Sequence, residues 1–334
     1  MAVTLKDIAR ECGLAVSSVS NILNNNVTSF ASLEVRRKVR ETAERLGYKK
    51  DYLSSSLRTR KTHSVGLIVD QIDAFTRQDF LVPFVEQFSG QGFEVALAEH
   101  RFDPDRAVAA LQGYAERYKD GIVLFTDLFG HDEGQQTLRQ AVEKSTLKIL
   151  GIGSRLRGVV PSLDIDRGHA VESSMEHFFR RGRKRILVVY EYDWDMRPAF
   201  RYWNHPDLSF WGGIHSAEDF LARAAGGGWK DFDAMFFRTD QVAIPALSFL
   251  RRNGVRVPDD LEVIGFDNFP FAEQTVPALS TWDIGFHRLG ERAQEHLSAW
   301  MSGATLANDH YESFRPAFVA RESHVAGDDH KGTL

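Results

Sequence analysis

The sequence predicts an α/β protein: a small all-α head at the N-terminus, followed by a two-lobed core of parallel sheets. Three observations predict this. From Ser64 onward, short apolar runs alternate with longer amphipathic ones, as repeated βα units do when helices cover both faces of a parallel sheet. Before residue 50, two short helical patterns lie only a few residues apart. The chain has 334 residues, 43% of them hydrophobic, too long for one average domain and long enough for more than one core.

The net charge of −5 conceals a division. Residues 1–62 hold twelve Lys and Arg against six acids, a surplus of six, so the remainder stands at −11. A basic head on an acidic body suits a polyanionic partner for the head, although a solvated charged surface has the same composition. The single cysteine, Cys12, excludes an intrachain disulfide framework and fits a reducing compartment. The opening MAVTLKDIARECG is charged and amphipathic where a secretory signal would be apolar, and no stretch is long enough to span a bilayer. The expectation is a soluble cytoplasmic protein without a membrane partner.

In the head, Thr4 and Asp7 stand as in a capping box, with Asp for the usual Glu. Leu5, Ile8 and Ala9 recur at helical spacing, and Gly13 stops the run. A second helix fits Val16–Leu23, with Val19, Ile22 and Leu23 turned inward. A third runs from about Ala31 to Leu46, with Ser32 as N-cap and Val35, Val39, Ala43 and Leu46 as its buried stripe, and Gly47 ends it. Two short helices across a Gly-containing turn make a helix-turn-helix. A plain three-helix bundle is the alternative, and the outward face of the second helix argues against it. Ser17, Ser18 and Asn21 are small polar groups that fit a major groove; Asn pairs bidentately with adenine, and the methyls of Val16 suit thymine methyls. Asn24 and Thr28, with the Lys and Arg set, can serve phosphates.

The stretch TLKDIARECGLAVSSVSNILN resembles the head of the LacI/GalR family, with its pattern T-x-x-D-[VI]-A-x-x-A-G-V-S-x-x-T-V-S-R-V-L-N. Thr4, Asp7, Ile8, Ala9, Gly13, Val19, Ser20, Leu23 and Asn24 sit on matching positions. ERLGYKKDYLSSSLRTRKTHSVGLI continues the match through Gly47, Tyr48, Ser56, Leu57, Arg58, Thr59, Thr62, Gly66 and Leu67. About the first seventy residues agree in register, and the remainder follows more loosely. Three positions depart from the pattern. Ala15 replaces a capping Ser, a loss of about 1 kcal/mol. Asn21 replaces an Arg, which moves the preferred base from guanine toward adenine. Lys50 and Asp51 replace Pro-Asn. The resemblance implies a transcriptional repressor that binds double-stranded DNA as a homodimer on a pseudo-palindromic operator, with Thr4 and Ser20 joining the groove-facing set.

Residues 51–63 form the connection. On their own residues, Asp51–Arg58 are a marginal helix or a flexible linker, because Ser54, Ser55 and Ser56 are mediocre helix formers and the run is short. The resemblance implies a hinge helix that pairs across the dimer on DNA, with Leu57 in the position of a minor-groove wedge and Arg58 beside it.

Beyond residue 64, the resemblance implies a core like that of periplasmic binding proteins, with lobe one at about 64–162 and 283–311 and lobe two at about 163–282 and 312–325. Ligands of parallel α/β sheets sit beyond the carboxyl ends of strands. Those ends present Asp70, Gln71, Asp73, Phe75 and Arg77; Thr126 and Asp127; Ser154 and Arg155; Glu191, Trp194, Asp195 and Arg197; Arg238, Thr239 and Asp240; and Asp267 with Asn268. Carboxylates and Arg around one crevice suit a polyhydroxylated, sugar-like ligand, and Trp203 and Trp282 could cover its apolar face. Helix capping or a plain surface position accounts equally well for any single one. The resemblance singles out three: Arg197 near the family's R-x-x-G-F, Asp240 in FRTD against F-A-x-N-D, and Asp267 in VIGFDN. Arg77 stands where the family often has an aromatic pair and suits an acidic or phosphorylated sugar. The candidate effector set is therefore Arg77, Asp127, Arg155, Arg197, Trp203, Asp240, Asp267 and Trp282.

Two other functional classes compete. A free sugar-binding protein of the periplasmic type shares the core, but the basic head and the absent signal segment oppose it. For an enzyme the chain offers no P-loop, no complete G-x-G-x-x-G beyond Gly151-Ile152-Gly153, no HExxH and no spaced Cys/His zinc set. His324 and His330 fall at the polar C-terminus, where a solvated tail is expected rather than a metal site. No catalytic residue, cofactor or metal is expected.

Overall fold

Helix α1 (Leu5–Cys12) starts where Asp7 reaches back to Thr4: its carboxylate accepts from the Thr4 backbone N–H at 3.0 Å and from the Thr4 hydroxyl at 2.7 Å. It stops at Gly13, whose φ of 71° is open to glycine and costly for other residues. Helix α2 (Val16–Leu23) follows after two further residues, and α3 (Leu33–Leu46) completes the head. The third helix begins two residues later than its apolar pattern suggests because Ser32 caps it, accepting from Val35 N at 3.3 Å. Ile8, Val19, Ile22 and Val39 are wholly buried around Cys12 and Ala43. At about 1.5–3 kcal/mol each, those four side chains hold the three helices together.

The computed structural model describes residues 3–23, 31–48, 62–72, 75–117, 120–125, 132–153, 156–191 and 205–325, which fall into two units, Met1–Lys61 and Thr62–Leu334. Asn24, Thr28, Leu57 and Arg58 lie outside the described residues, as does the connection from 49 to 61.

In the second unit, β1 (Ser64–Val69), β2 (Glu94–Glu99), β3 (Gly121–Phe125), β4 (Ile149–Ile152), β5 (Ser162–Ile165) and β11 (Tyr311–Phe314) form one parallel sheet in the order β11-β5-β4-β3-β1-β2. A second parallel sheet has the order β7-β6-β8-β9, from β6 (Ile186–Val189), β7 (Leu208–Trp211), β8 (Ala234–Phe237) and β9 (Glu262–Ile264). Strands β10 (Thr281–Asp283) and β12 (Ala317–Val319) pair antiparallel. All residues of β1, β3, β4, β5, β6, β8 and β9 are buried, and apart from Ser64, Ser162, Asp164 and Glu262 these strands are apolar, as strands under helices on both faces of a parallel sheet are.

Strand β5 and strand β11 pair with each other inside the first sheet, which therefore takes in Ser162–Ile165 and Tyr311–Phe314. A four-residue run such as SLDI or YESF has too little periodicity to declare its sheet; pairing decides it.

Helix α4 (Phe75–Gly90) runs through Pro83. A mid-helix proline costs about 3 kcal/mol. Here Phe80, Phe84 and Phe88, all fully buried and in successive ring contact, offset that cost. Helix α10 (Phe286–Met301) packs onto this stretch through Gly290, where a Cβ would stand 2.5 Å from the Phe80 carbonyl oxygen. Between residues 205 and 228 lie β7 and α8 (Ala217–Ala224), the latter capped by Ser216, whose hydroxyl accepts from Asp219 N at 3.1 Å.

The remaining helices are α5 (Pro104–Arg117), α6 (Asp132–Glu143), α7 (Arg167–Arg180) and α9 (Asp240–Arg252). One apolar cluster runs from the first sheet through Trp282, Ile284 and Phe286 to the near face of the second, and a separate cluster fills the far face of each. The C-terminal segment is part of this interior. His324, expected in a solvated tail, is 4% exposed, with its ring 5.2 Å from that of Phe318 and its Nδ1 2.9 Å from Ser280 Oγ. Nearby, the fully buried Glu262 accepts from Arg183 at 2.7 Å and from Val325 N at 2.7 Å, with His177 Nε2 at 3.2 Å. Burial opposes its charge, but these hydrogen bonds win and hold its carboxyl at about 2.

Candidate functional site

The first candidate surface is the outer face of α2. Val19 and Ile22 point into the head, so the opposite face of the helix, which carries Ser17 and Asn21, points out. Val16, Ser17 and Asn21 are exposed, Val16 by 40%, while Ser18 and Ser20 are half-buried. Ser17 and Asn21, four apart, share one helix face, a short polar strip of the size that base edges accept. Thr4 is exposed at the start of α1, where its backbone and hydroxyl are engaged by Asp7. Among the basic residues, Lys38 donates to the Cys12 carbonyl at 3.4 Å, joining α3 to the end of α1, and Arg45 pairs with Glu11.

The second candidate region follows from strand order. In the first sheet the chain passes from β1 to β2 on one side and then back across β1 to β3 on the other. In the second it passes from β6 to β7 on one side and then back across β6 to β8 on the other. Each reversal opens a crevice at the carboxyl ends of the two central strands. Those ends hold buried Asp70 and exposed Gln71 in the first sheet, and Tyr190, Glu191, Arg238 and Thr239 in the second. Asp127, Arg155, Arg197 and Trp203 lie outside the described residues, and Arg77 sits in the first turn of α4 with its side chain likewise outside them.

At the second crevice, Arg238 and Asp267 face each other at 3.7 Å, each about nine-tenths buried, and the Arg238 guanidinium stands 4.6 Å from the centre of the Phe266 ring. Asp267 has a φ of 101°, a costly backbone state for a residue with a Cβ and one that concentrates at functional sites. The turn is held by Asp267 N to Trp282 O at 2.9 Å and by Asn268 N to Thr281 Oγ1 at 3.3 Å. Arg321, from the C-terminal segment, clamps it by donating to Asn268 Oδ1 and to the Leu279 carbonyl, both at 2.8 Å.

Asp240 lies beneath this pair and is not at the crevice surface. It is 0% exposed, accepting from Thr281 Oγ1 at 2.8 Å and from Phe269 N at 2.9 Å. Gly265 makes room for it, since a Cβ there would come within 2.1 Å of Asp240 Oδ1. Burial, reinforced by the charge of Asp267, pushes its carboxyl up to about 8, so it is neutral at pH 7. Asp240 is thus a support for the Asp267 turn rather than a ligand contact.

That state has a measurable consequence. The folded chain holds the Asp240 proton up to about pH 8, whereas the unfolded chain releases it near pH 4. Its contribution to stability is therefore complete below pH 4 and is lost progressively as pH rises to 8. Asp240→Asn carries a neutral amide of the same shape and lacks this loss. Its melting temperature relative to wild type is expected to rise between pH 5 and pH 8, as read by differential scanning fluorimetry; a flat difference excludes a neutral Asp240.

Trp282 requires a correction. It is 2% exposed, its indole N–H donates to Ser174 Oγ at 2.8 Å, and its ring packs 5.1 Å from that of Phe318 and 5.5 Å from that of His169. It is a core residue at the crossing between lobes, not a pocket wall, because both its apolar surface and its one polar atom are already matched. Thr281, Arg321 and Gly265 were missed by sequence reasoning. Only Gly265 had a signal, the glycine of VIGFDN; Thr281 and Arg321 act through contacts with residues far away in the chain.

Comparison with known proteins agrees with this division. Residues 4–51 match the family model of bacterial regulatory proteins, lacI family, and residues 175–324 match the periplasmic binding protein-like domain. Catabolite control protein A of Priestia megaterium is 24% identical over 327 residues, covering 92% of this chain and 95% of its own. The lac repressor dimer bound to operator and the anti-inducer ONPF superposes with a TM-score of 0.82 at 18% identity, over 98% of this chain and 100% of that one. The regulator CelR in complex with cellobiose does so at 0.66 and 20% identity, over 96% and 99%. No helix among the described residues is long and apolar enough to cross a membrane. The chain therefore carries a helix-turn-helix head that matches the lacI family of bacterial regulatory proteins, over residues 4–51, ahead of a periplasmic-binding-protein-like domain over residues 175–324.

Proposed function

We propose that this protein is an operator-binding repressor, working as a cytoplasmic homodimer, whose DNA affinity is set by a sugar-like effector held between the two lobes. The observation that carries the reading is the outer face of α2. A short helix fixed by Val19 and Ile22 displays Val16, Ser17 and Asn21 on a head with a surplus of six positive charges. Each head reads one half-site in the major groove, and two-fold symmetry pairs them on a pseudo-palindrome. Asn24, Thr28, Leu57 and Arg58 complete the DNA-contacting set.

The effector site takes Asp267, paired with Arg238, from lobe two; the sequence assigns Arg77, Asp127, Arg155, Arg197 and Trp203 to the same site. A guanidinium beside a carboxylate supplies both donor and acceptor to a hydroxyl-rich ligand. A fold neighbour, CelR, holds cellobiose. An effector that prefers one lobe orientation shifts the population of that orientation, and its coupling to DNA binding is reciprocal. The protein turns over no substrate in this reading.

Deleting residues 1–60 tests it. The truncated chain is expected to lose operator affinity by about a thousandfold or more, to the level of non-specific binding or below, while keeping the thermal shift that an effector gives the full chain. Unchanged operator affinity after truncation rules the reading out.

A further inference from the structure

We propose that His296, His310 and Glu312 form a binding site in lobe one for a transition-metal ion of the zinc class. His296 lies on α10, and Glu312 lies on β11, the edge strand that His310 immediately precedes. His296 Nε2 stands 3.0 Å from Glu312 Oε2, the two imidazole rings are 4.8 Å apart at 59°, and one ligand atom from each of the three residues falls within 4.8 Å of the others. Around a tetrahedral ion with bonds near 2.1 Å, ligand atoms are about 3.4 Å apart. The His296–Glu312 contact is already close to that value, and a ligand atom of His310 lies within 4.8 Å of both.

Two features favour an ion over a simple ion-pair network. His310 Nε2 is buried and has no hydrogen-bond partner among the described residues, a state that costs free energy unless something else satisfies it. Its backbone cannot drift to relieve this: its N–H donates to Ala307 O at 3.0 Å, and its carbonyl accepts from Ser162 N at 2.9 Å. Arg292 Nε approaches both oxygens of Glu312, at 3.1 and 3.0 Å. When an ion takes Oε2, Arg292 keeps Oε1 and supplies the outer hydrogen bond that orients a ligating carboxylate. Two His and one Glu leave a fourth position for water. The bound ion would tie α10 to the sheet edge and stabilise only the folded chain.

The test uses the untagged full chain, stripped with chelator and titrated with zinc chloride and, separately, cobalt chloride. One equivalent per chain is expected, with visible d–d absorption from cobalt and a melting temperature raised by a few degrees. His296→Gln and His310→Gln are each expected to abolish the equivalent and the thermal shift. Absence of stoichiometric binding, or binding that persists in both variants, overturns the site. Should either variant fold poorly, zinc-edge anomalous scattering from wild-type crystals decides: a peak among the three side chains supports the site, and a peak elsewhere or none overturns it.

Discussion

Asn21→Ala is expected to weaken operator binding by about ten- to a hundredfold, the worth of one bidentate contact to a base. The residue is exposed on α2 and faces away from the buried Val19 and Ile22, so its loss should leave stability within about 0.5 kcal/mol of wild type. An operator selected from a random library with the wild-type protein, then titrated by fluorescence anisotropy at fixed salt, gives the measurement. The loss should fall on the selected sequence and leave random DNA little changed, because a base-reading side chain does not alter the phosphate contribution. Adenine should be the base whose preference relaxes. Equal affinity of wild type and variant for the selected operator would remove Asn21 from the recognition set.

Trp282→Ala is expected to cost about 3–5 kcal/mol, which for a body of this size is a drop of roughly 10 °C in melting temperature. Trp282 touches α7 through Ser174 and His169, and β12 through Phe318, so it joins elements on both sides of a chain crossing. Trp282→Phe keeps most of the apolar contact and loses the hydrogen bond to Ser174, and should cost about half as much or less. The pair of variants separates two roles. A core residue lowers stability steeply and affects effector binding only through unfolding. A pocket wall would leave the melting temperature nearly unchanged and lower the effector-induced shift. A melting temperature within 2 °C of wild type for Trp282→Ala would refute the core role.

Much of this protein was legible in its sequence because the information was local. The capping pair Thr4–Asp7, the stop at Gly13 and the inward set Val19, Ile22 and Leu23 act over one or two helical turns, so the head follows from spacing alone. The same holds for the fully apolar strands at Ser64–Val69, Gly121–Phe125 and Ile186–Val189, which could be read as buried before any partner was known. Strand β7 and helix α8 were harder: LSFW is short and followed at once by Gly212 and Gly213, and the Ser216 cap is recognisable mainly once the helix behind it is seen.

By itself, the sequence determined the order of elements, the outward polar face of α2 and the charge division between head and body, since each depends on residues near one another in the chain. Tertiary structure alone decided which sheet receives β5 and β11, why a helix passes through Pro83, that Asp240 is a neutral buried support and that Trp282 belongs to the core. Those outcomes rest on Thr281, 41 residues beyond Asp240, on Ser174, 108 residues before Trp282, and on Gly290 admitting α10 to Phe80. A polar side chain's role is set by whether its partners and its burial arrive together, and chain folding brings those from far away.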